Sequence, residues 1–329
     1  MKIVIDMMGS DRGSSVTVPA VRNFKKNHPD LLVFVVGKQE EISSLSDIAT
    51  IVHADDVIQM EAGPMEFMRA KNSSMHIAFN TFIQQQADAI ISAGSTGGLL
   101  SGATLKLKLI PGVERAAILS PFPTKVKDNK VTILDIGANN ENNARQLSQF
   151  ALMGRLYAQH VYGKENPKTY LLSNGTESTK GSPLVKETHK LLVESGFPNF
   201  LGNIEGKAVL NGQADVVVCD GYTGNVLLKS IEGTAKLMSG LLSNAFRKNA
   251  VTKIGYLFAK SGISEMRELM DYKNTGGAMF AGINGLVIKA HGSSDVRGFT
   301  SALEVAYKMA DKNVVELLRE GFKENVTSL

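Results

Sequence analysis

The segment Lys289–Ser294 holds the densest group of reactive side chains in the sequence. Lys289 offers a positive charge to an anion, and His291 can move a proton near neutral pH. The Gly-Ser-Ser turn that follows adds backbone amides and the hydroxyl groups of Ser293 and Ser294. A single histidine is more often structural, but this one follows an apolar run that is typical of a buried strand. We therefore expect an anion-binding and proton-transferring site here.

A fourteen-residue pattern occurs twice, at 87–100 and at 214–227. Each copy is a short apolar run, then Gly-x-Thr-Gly, then a sequence that can begin a helix. The glycines allow a sharp turn close to a ligand, and unpaired amides at a helix start bind anions. Two ordinary strand-to-helix turns would look similar, although turn geometry does not require threonine in both. The pattern predicts a cleft for a phosphate or carbonyl oxygen, and its candidate ligands are Gly94, Ser95, Thr96, Gly97, Thr223 and Gly224.

Other strand ends also carry small polar residues that could orient the site, bind the phosphate or substrate, or bind a cation. Asp6 and Gly9 follow the first apolar run, and Asp135 and Asn139 follow the run at 131–134. In the second copy of the repeat, Asp220 and Asn225 can orient groups and form hydrogen bonds, whereas the first copy has only small residues there. Aspartate beside glycine is also common in plain turns.

Apolar runs alternate with helical periodicity along the chain. Strands are indicated at 3–5, 32–36, 131–134, 169–172 and 285–288, and helices at 145–160, 183–195, 226–248 and 299–320. This alternation predicts a doubly wound α/β fold, a largely parallel sheet with helices on both faces, as one domain over 1–329. Ligands of such sheets bind beyond the carboxyl ends of the strands.

The region 226–275 is the least sheet-like and reads as a helical insertion. One helical face carries Val251, Ile254, Leu257 and Phe258, and lysines flank it at 248, 253 and 260. Such a face can rest on an anionic bilayer. It can equally pack on the body of the protein or on a second subunit.

Composition excludes several classes of protein. The net charge of +4 is too small and too dispersed for a dedicated nucleic-acid binder. The single cysteine, Cys219, excludes an internal disulfide and fits a reducing cytoplasm, and we expect it to be a buried packing residue. The six histidines are scattered, so we expect no metal. Motifs for a dinucleotide, a P-loop or a serine nucleophile elbow are missing, so we expect no cofactor.

Eight motifs, in this order along the chain, resemble those of the bacterial acyl-ACP:phosphate acyltransferases, the PlsX family. They are Ile5–Asp11, Lys71–Met75, Ser92–Gly97, Leu134–Asn139, Gly202–Gly206, Asp220–Lys229, Gly276–Ala278 and Lys289–Ser294. Each motif is weak alone, but the ordered set spans nearly the whole chain and is specific.

The resemblance implies a fold like that of isocitrate and isopropylmalate dehydrogenases, in a homodimer. It also implies a reaction in which a fatty acyl group passes from acyl carrier protein (ACP) to inorganic phosphate, giving acyl phosphate for phospholipid synthesis. Family members contact the membrane peripherally through a helical hairpin that matches Lys248–Met270 here. Basic residues would dock the acidic carrier, and the candidates are Lys180, Lys186 and Lys190, which could otherwise be ordinary solvated lysines.

The sequence departs from the family at a few positions and leaves alternatives open. Ser10 and Arg12 alter the first turn, and Ser95 stands where asparagine is usual. Glu141 belongs to an Asn-Glu pair that replaces the family's usual Val-Asp. These changes bear on acyl length, carrier recognition and rate. The alternatives are a phosphotransacetylase-like enzyme that uses acyl-CoA, a non-catalytic scaffold for carrier and membrane, and a nicotinamide-dependent dehydrogenase.

Overall fold

The computed structural model of the protein describes residues 1–63, 65–270 and 276–325. For residues 265 and 267–270 it describes only the backbone. The strands of this described part are β1 (Lys2–Asp6), β2 (Leu32–Gly37), β3 (Thr50–His53), β4 (Ala89–Ser92), β5 (Ala117–Pro123), β6 (Lys130–Leu134), β7 (Thr169–Ser173), β8 (Phe200–Glu205), β9 (Val216–Val218), β10 (Ala278–Ala281) and β11 (Val287–Lys289).

The helices alternate with these strands. They are α1 (Ser14–Asn27), α2 (Gln39–Ile42), α3 (Glu66–Arg69), α4 (Ser74–Gln85), α5 (Thr96–Gly102), α6 (Ala144–Tyr162), α7 (Pro183–Glu194), α8 (Gly221–Arg247), α9 (Ala250–Met270), α10 (Val296–Asp311) and α11 (Val314–Asn325). Side chains that accept backbone N–H groups mark several starts: Asn143 and Gln146 form a reciprocal cap on α6, and Asp220 caps α8.

All the described strands join one sheet in the order β3-β2-β1-β4-β11-β10-β5-β6-β9-β7-β8. The pairs of β10 with β11, β10 with β5, and β5 with β6 are antiparallel, and the rest are parallel. The predicted α/β fold with a largely parallel sheet is confirmed. The strand direction reverses at each of these three pairs, so the parallel strands on either side of β10 and β5 point opposite ways.

The register of the sheet brings distant polar residues into one row. Asp6 pairs with Ser92, and Ser92 pairs with Lys289, so the ends of β1, β4 and β11 are level. Apolar residues cover both faces of these strands in two buried clusters. The row lies where the strands leave that apolar layer.

Two expectations about the elements need revision. The predicted helix at 299–320 is two helices, α10 and α11, because Asn313 adopts a left-handed backbone conformation with φ of 51° and ends the continuous turn. The sequence pattern also gave no indication of β5, which contains Pro121 and Pro123. Both prolines lie in a strand whose neighbours are antiparallel.

The helical segment predicted at 226–275 corresponds to the larger part of α8 and to α9, which pack on each other. Much of their apolar surface is exposed, including Leu237 and Leu241 of α8 and Phe258 of α9. None of the described helices is both long and apolar enough to cross a membrane. Residues 271–275, the end of the predicted segment, lie outside the described residues.

Candidate active site

A cavity of about 440 Å³ opens where the two oppositely directed groups of strands meet. The turn Lys289–Ser294 forms one wall together with Thr96, and one face of α8 forms the opposite wall. The α8 residues that line it are Asn225, Leu228, Lys229 and Glu232, spaced three or four apart on one side of the helix. Thr96 of the first repeat copy, Asn225 of the second copy and the Lys289–Ser294 turn therefore meet around one cavity.

Lys289 holds its ammonium group inside this wall. Its Nζ donates to the carbonyl oxygens of Ala93 at 3.1 Å and Ala290 at 2.7 Å. Burial lowers the pKa of Lys289 to about 8, and the nearby carboxylates of Asp11 and Asp6 oppose that shift. Lys289 therefore remains mostly charged at neutral pH, and one of its three hydrogens is left for a ligand in the cavity.

His291 lies between a serine and a carboxylate. Its Nδ1 is 2.9 Å from Ser293 Oγ and accepts the Ser293 backbone N–H at 3.2 Å. Its Nε2 is 3.8 Å from Glu232 Oε1, and the other oxygen of Glu232 accepts a hydrogen bond from Lys229 at 2.8 Å. Burial lowers the pKa of His291, and Glu232 acts against that shift.

Asp6 lies in the row beneath Lys289. It is buried, and its carboxylate accepts hydrogen bonds from Ser92 Oγ at 2.7 Å and from the Met8 amide at 3.2 Å. Burial raises the pKa of Asp6, while these hydrogen bonds and the charge of Lys289 oppose the change. Asp6 is not among the residues that line the cavity, so its contact with a ligand would be through Lys289.

In the first repeat copy, only Thr96 of the four predicted ligands lines the cavity. Gly94 lies against Gly9, where a side chain on Gly9 would come within 2.5 Å of the Gly94 backbone. Ser95 is buried, caps α5 by accepting the Gly98 amide, and donates its hydroxyl to Ala62 O at 2.9 Å. The glycines and Ser95 thus shape the turn, and Gly97 lies next to Thr96 without lining the cavity.

The second copy has a different geometry, because its helix begins two positions earlier in the repeat. Asp220 accepts both the amide of Thr223 at 2.9 Å and its hydroxyl at 2.7 Å. Gly224 packs so closely on Asp135 that an added Cβ would lie 1.8 Å from the Asp135 carbonyl oxygen. Asp220, Thr223 and Gly224 therefore build the helix start, while Asn225 faces the cavity.

Asp135 organises the turn after β6. Its carboxylate accepts the amides of Ile118, Gly137 and Ala138, and both the amide and the side-chain Nδ2 of Asn139. Asn139 also donates to Ala116 O at 2.8 Å and does not line the cavity. Burial raises the pKa of Asp135, and the surrounding donors oppose that shift. The nearby thiol of Cys219 is buried, as expected of a packing residue.

The apolar floor of the cavity was not predicted from the sequence. Ile118, Ser120 and Phe122 alternate along β5 and lie on one face of it, and Ile136 adjoins them. The register of β10 with β11 and β5 places Ser120 level with Lys289. The two residues are two strand spacings apart, about 10 Å. Sequence reasoning also missed Asp11, Lys229 and Glu232, since a charged residue on a helix or loop has no distinctive local pattern.

Two groups of predicted residues lie away from the cavity. Lys180, Lys186 and Lys190 are exposed on the loop before α7 and on α7 itself, and Lys190 has Glu194 at 3.8 Å. Val251, Ile254, Leu257 and Phe258 are exposed on α9, from 57% for Ile254 to 89% for Phe258. Among the described residues no cluster of three or more His, Cys, Asp or Glu side chains could hold a metal ion.

The fold is of the same type as that of solved phosphotransacylases and of a 4-hydroxythreonine-4-phosphate dehydrogenase. A phosphotransacetylase from Streptococcus pyogenes superposes with a TM-score of 0.62 and 17% identity, over 96% of this chain and 94% of that one. A 4-hydroxythreonine-4-phosphate dehydrogenase from Klebsiella pneumoniae gives 0.52 and 13%, over 94% and 98%. At these identities the likeness shows the fold alone.

The chain belongs to the family described as "Fatty acid synthesis protein", whose model matches residues 1–317. A relative from Pediococcus pentosaceus is 40% identical over 100% of this chain and 96% of its own length. One from Legionella pneumophila is 40% identical over 97% and 95%. Both relatives are named phosphate acyltransferase, and the predicted membership in the PlsX family is confirmed.

Proposed function

We propose that this protein transfers a fatty acyl group from ACP to inorganic phosphate, forming acyl phosphate and releasing the carrier. The observation that carries the proposal is a single cavity in which the Lys289–Ser294 wall adjoins the apolar floor of β5. Both relatives are named phosphate acyltransferase, which makes phosphate the acceptor in their reaction. The wall suits an anion, and the floor suits a hydrocarbon chain.

The chemistry asks little of the protein beyond positioning and charge. Phosphate is already a nucleophile at neutral pH, so one of its oxygens can attack the thioester carbonyl directly. The carbon–sulfur bond then breaks, and the carrier sulfur leaves as a thiolate that takes up the proton lost by hydrogen phosphate. The new carbon–oxygen bond remains in the acyl phosphate. Lys289 supplies a fixed positive charge beside the phosphate and beside the oxyanion that forms at the thioester carbonyl. The amide and hydroxyl of Thr96 are candidate hydrogen-bond donors to that oxyanion.

We propose ACP, rather than coenzyme A, as the carrier of the acyl group. ACP is acidic, and the exposed lysines on and before α7 (Lys180, Lys186 and Lys190) offer it a basic docking surface. Acyl-CoA is the second candidate, because the fold is also that of a solved phosphotransacetylase. The floor built by Ile118, Phe122 and Ile136 favours a long chain over an acetyl group.

We extend the proposal to where and how the protein works. It is a single catalytic domain over 1–329 with the helical insertion at 226–275, and it acts as a homodimer. The α9 face of Val251, Ile254, Leu257 and Phe258 contacts an anionic membrane, where phospholipid synthesis uses the product. The family resemblance and the exposure of this face support these statements.

The test is mass spectrometry of the product formed from phosphate with palmitoyl-ACP, palmitoyl-CoA or acetyl-CoA. Acyl phosphate from palmitoyl-ACP, formed faster than from either CoA ester, is the expected result. Turnover of CoA esters alone would favour the phosphotransacetylase-like enzyme. Carrier binding without any acyl phosphate would favour the non-catalytic scaffold.

A further inference from the structure

The hydrogen bonds around His291 fix which ring nitrogen carries the proton. The backbone N–H of Ser293 can only donate, and it lies 3.2 Å from His291 Nδ1. Nδ1 must therefore be the acceptor, and a neutral ring carries its hydrogen on Nε2. The Ser293 hydroxyl, 2.9 Å from the same Nδ1, then donates to it as well. In this state the amide hydrogen and the hydroxyl hydrogen of Ser293 both bind to His291 Nδ1.

The opposite edge of the ring faces a carboxylate held by α8. Glu232 Oε1 is 3.8 Å from His291 Nε2, and Glu232 Oε2 accepts a hydrogen bond from Lys229 one helical turn earlier. The side chain of Glu232 is only 13% exposed, so its charge is poorly screened. Glu232 thus stabilises a positive ring at the end that points away from Ser293.

We propose that an anion enters this cleft together with one proton, which His291 takes up and Glu232 stabilises. Protonation puts a hydrogen on Nδ1, which then donates to Ser293 Oγ instead of accepting from it. The amide and hydroxyl hydrogens of Ser293 are both released and can bind the anion. Glu232 is a positioning residue in this scheme, since it acts through His291. The inference rests on the proposed function only in taking phosphate as the natural anion.

Among the described residues, two carboxylates and two ammonium groups act on the His291 ring. Glu232 and Lys229 face it from α8, Lys289 from the end of β11, and Asp11 from the loop after β1. Glu232 and Asp11 raise the pKa of His291, while burial and the two lysines lower it, with burial the largest effect. The ring is therefore neutral near neutral pH, and a bound dianion favours its protonation.

The test is calorimetry of sulfate binding near neutral pH in two buffers that differ in ionisation enthalpy, without any acyl donor. Sulfate does not titrate near neutral pH, and Lys289, with a pKa of about 8, is already largely charged. We expect the wild type to take up close to one proton per sulfate. Nitrogen NMR of the ring should change from the Nε2–H form to the doubly protonated form on addition of sulfate.

Variants test whether His291 is the group that takes up the proton. His291→Asn should abolish the uptake, and Glu232→Gln should reduce it and weaken sulfate binding about tenfold, the equivalent of one pKa unit. Glu232→Asp should restore part of the uptake, and Glu40→Gln, on an exposed surface of α2, should change nothing. Thermal unfolding of each variant establishes that it is folded.

The outcomes separate this inference from the proposed function. Sulfate binding with no proton uptake, or equal uptake by His291→Asn, overturns the inference and leaves acyl transfer standing. Failure of sulfate to bind the wild type overturns the inference as well. Proton-linked binding in a protein that forms no acyl phosphate would overturn the proposed function alone.

Discussion

Lys289 shows how one partly buried side chain can set the working pH range of the site. Its ammonium is bound by two carbonyl oxygens rather than by a carboxylate at hydrogen-bond distance. Carbonyl groups orient the charge without neutralising it, so it remains available to an anion. The cost of burial is the lowered pKa of about 8.

We expect phosphate affinity to fall as the pH rises through about 8, because Lys289 loses its proton there. The sign follows from the charge: the ammonium binds the anion below its pKa and is neutral above it. Lys289→Ala should weaken phosphate about 100-fold and remove this alkaline limb. The measurement is the KM for phosphate between pH 7 and 9. An unchanged alkaline limb in the variant would assign the titration to another group.

The sequence identified some site residues and missed others for a physical reason. Lys289 ends β11, His291 comes just after it, and Thr96 begins the helix after β4, so their place at a sheet edge can be inferred from the chain. Asp220 and Ser95 also follow strands, but their side chains are used to cap helices. Glu232 is seven residues beyond Asn225, and only the pitch of α8 brings both to one cavity.

At the scale of elements, α8 depends on a close approach to the turn after β6. Gly221 and Gly224 lie against the backbone of Asn139 and Asp135, where no side chain has room. This contact sets the position of the helix that carries Asn225 and Glu232. Gly233, on the same helix, has open space around it.

We predict opposite effects for two glycine substitutions in α8. Gly224→Ala should lower the free energy of unfolding by about 2 kcal/mol or more, because the methyl group overlaps the Asp135 carbonyl. Gly233→Ala should be neutral or stabilise by up to about 1 kcal/mol, since alanine favours a helix and meets nothing. Thermal unfolding of the pair is the measurement, and equal midpoints would show that the start of α8 can shift.

Elements were predicted best where one pattern dominates. The strands β1, β2, β6 and β7 are apolar runs bounded by small residues, and each was found at its expected place. β5 was missed because its prolines argue for a loop, yet it forms the floor of the cavity. The break between α10 and α11 depends on the backbone of Asn313, which the apolar periodicity does not reveal.

For the molecule as a whole, the exposed apolar face of α9 has two candidate partners, an anionic membrane and a second subunit. Ile254 is 57% and Phe258 89% exposed in the single chain, so either a bilayer or a second subunit would bury substantial apolar area. Lysines at 248, 253 and 260 flank the face, which favours an anionic surface.

We expect Ile254→Asp combined with Phe258→Asp to release the protein from anionic phospholipid vesicles. Each lost side chain removes about 1.5 kcal/mol or more of apolar burial, so partitioning should fall at least tenfold. Ser261→Asp with Ser264→Asp adds the same charge at exposed polar positions of α9 and serves as the matched control. Vesicle sedimentation is the measurement, with turnover in solution unchanged. A variant that stays on vesicles but becomes monomeric would make this face a subunit interface.

The path of the chain has a consequence for its biosynthesis. Lys289 donates a hydrogen bond to the carbonyl oxygen of Ala93, which lies 196 residues earlier in the sequence. The two residues meet because β11 pairs with β4. The opposite half of the sheet and the helices α8 and α9 are synthesised between these two strands. Until β11 leaves the ribosome, β4 has an unpaired edge. Long-range pairings of this kind form slowly. The candidate active site is therefore among the last parts of the protein to be completed, and a chain stopped before β11 lacks its Lys289–Ser294 wall.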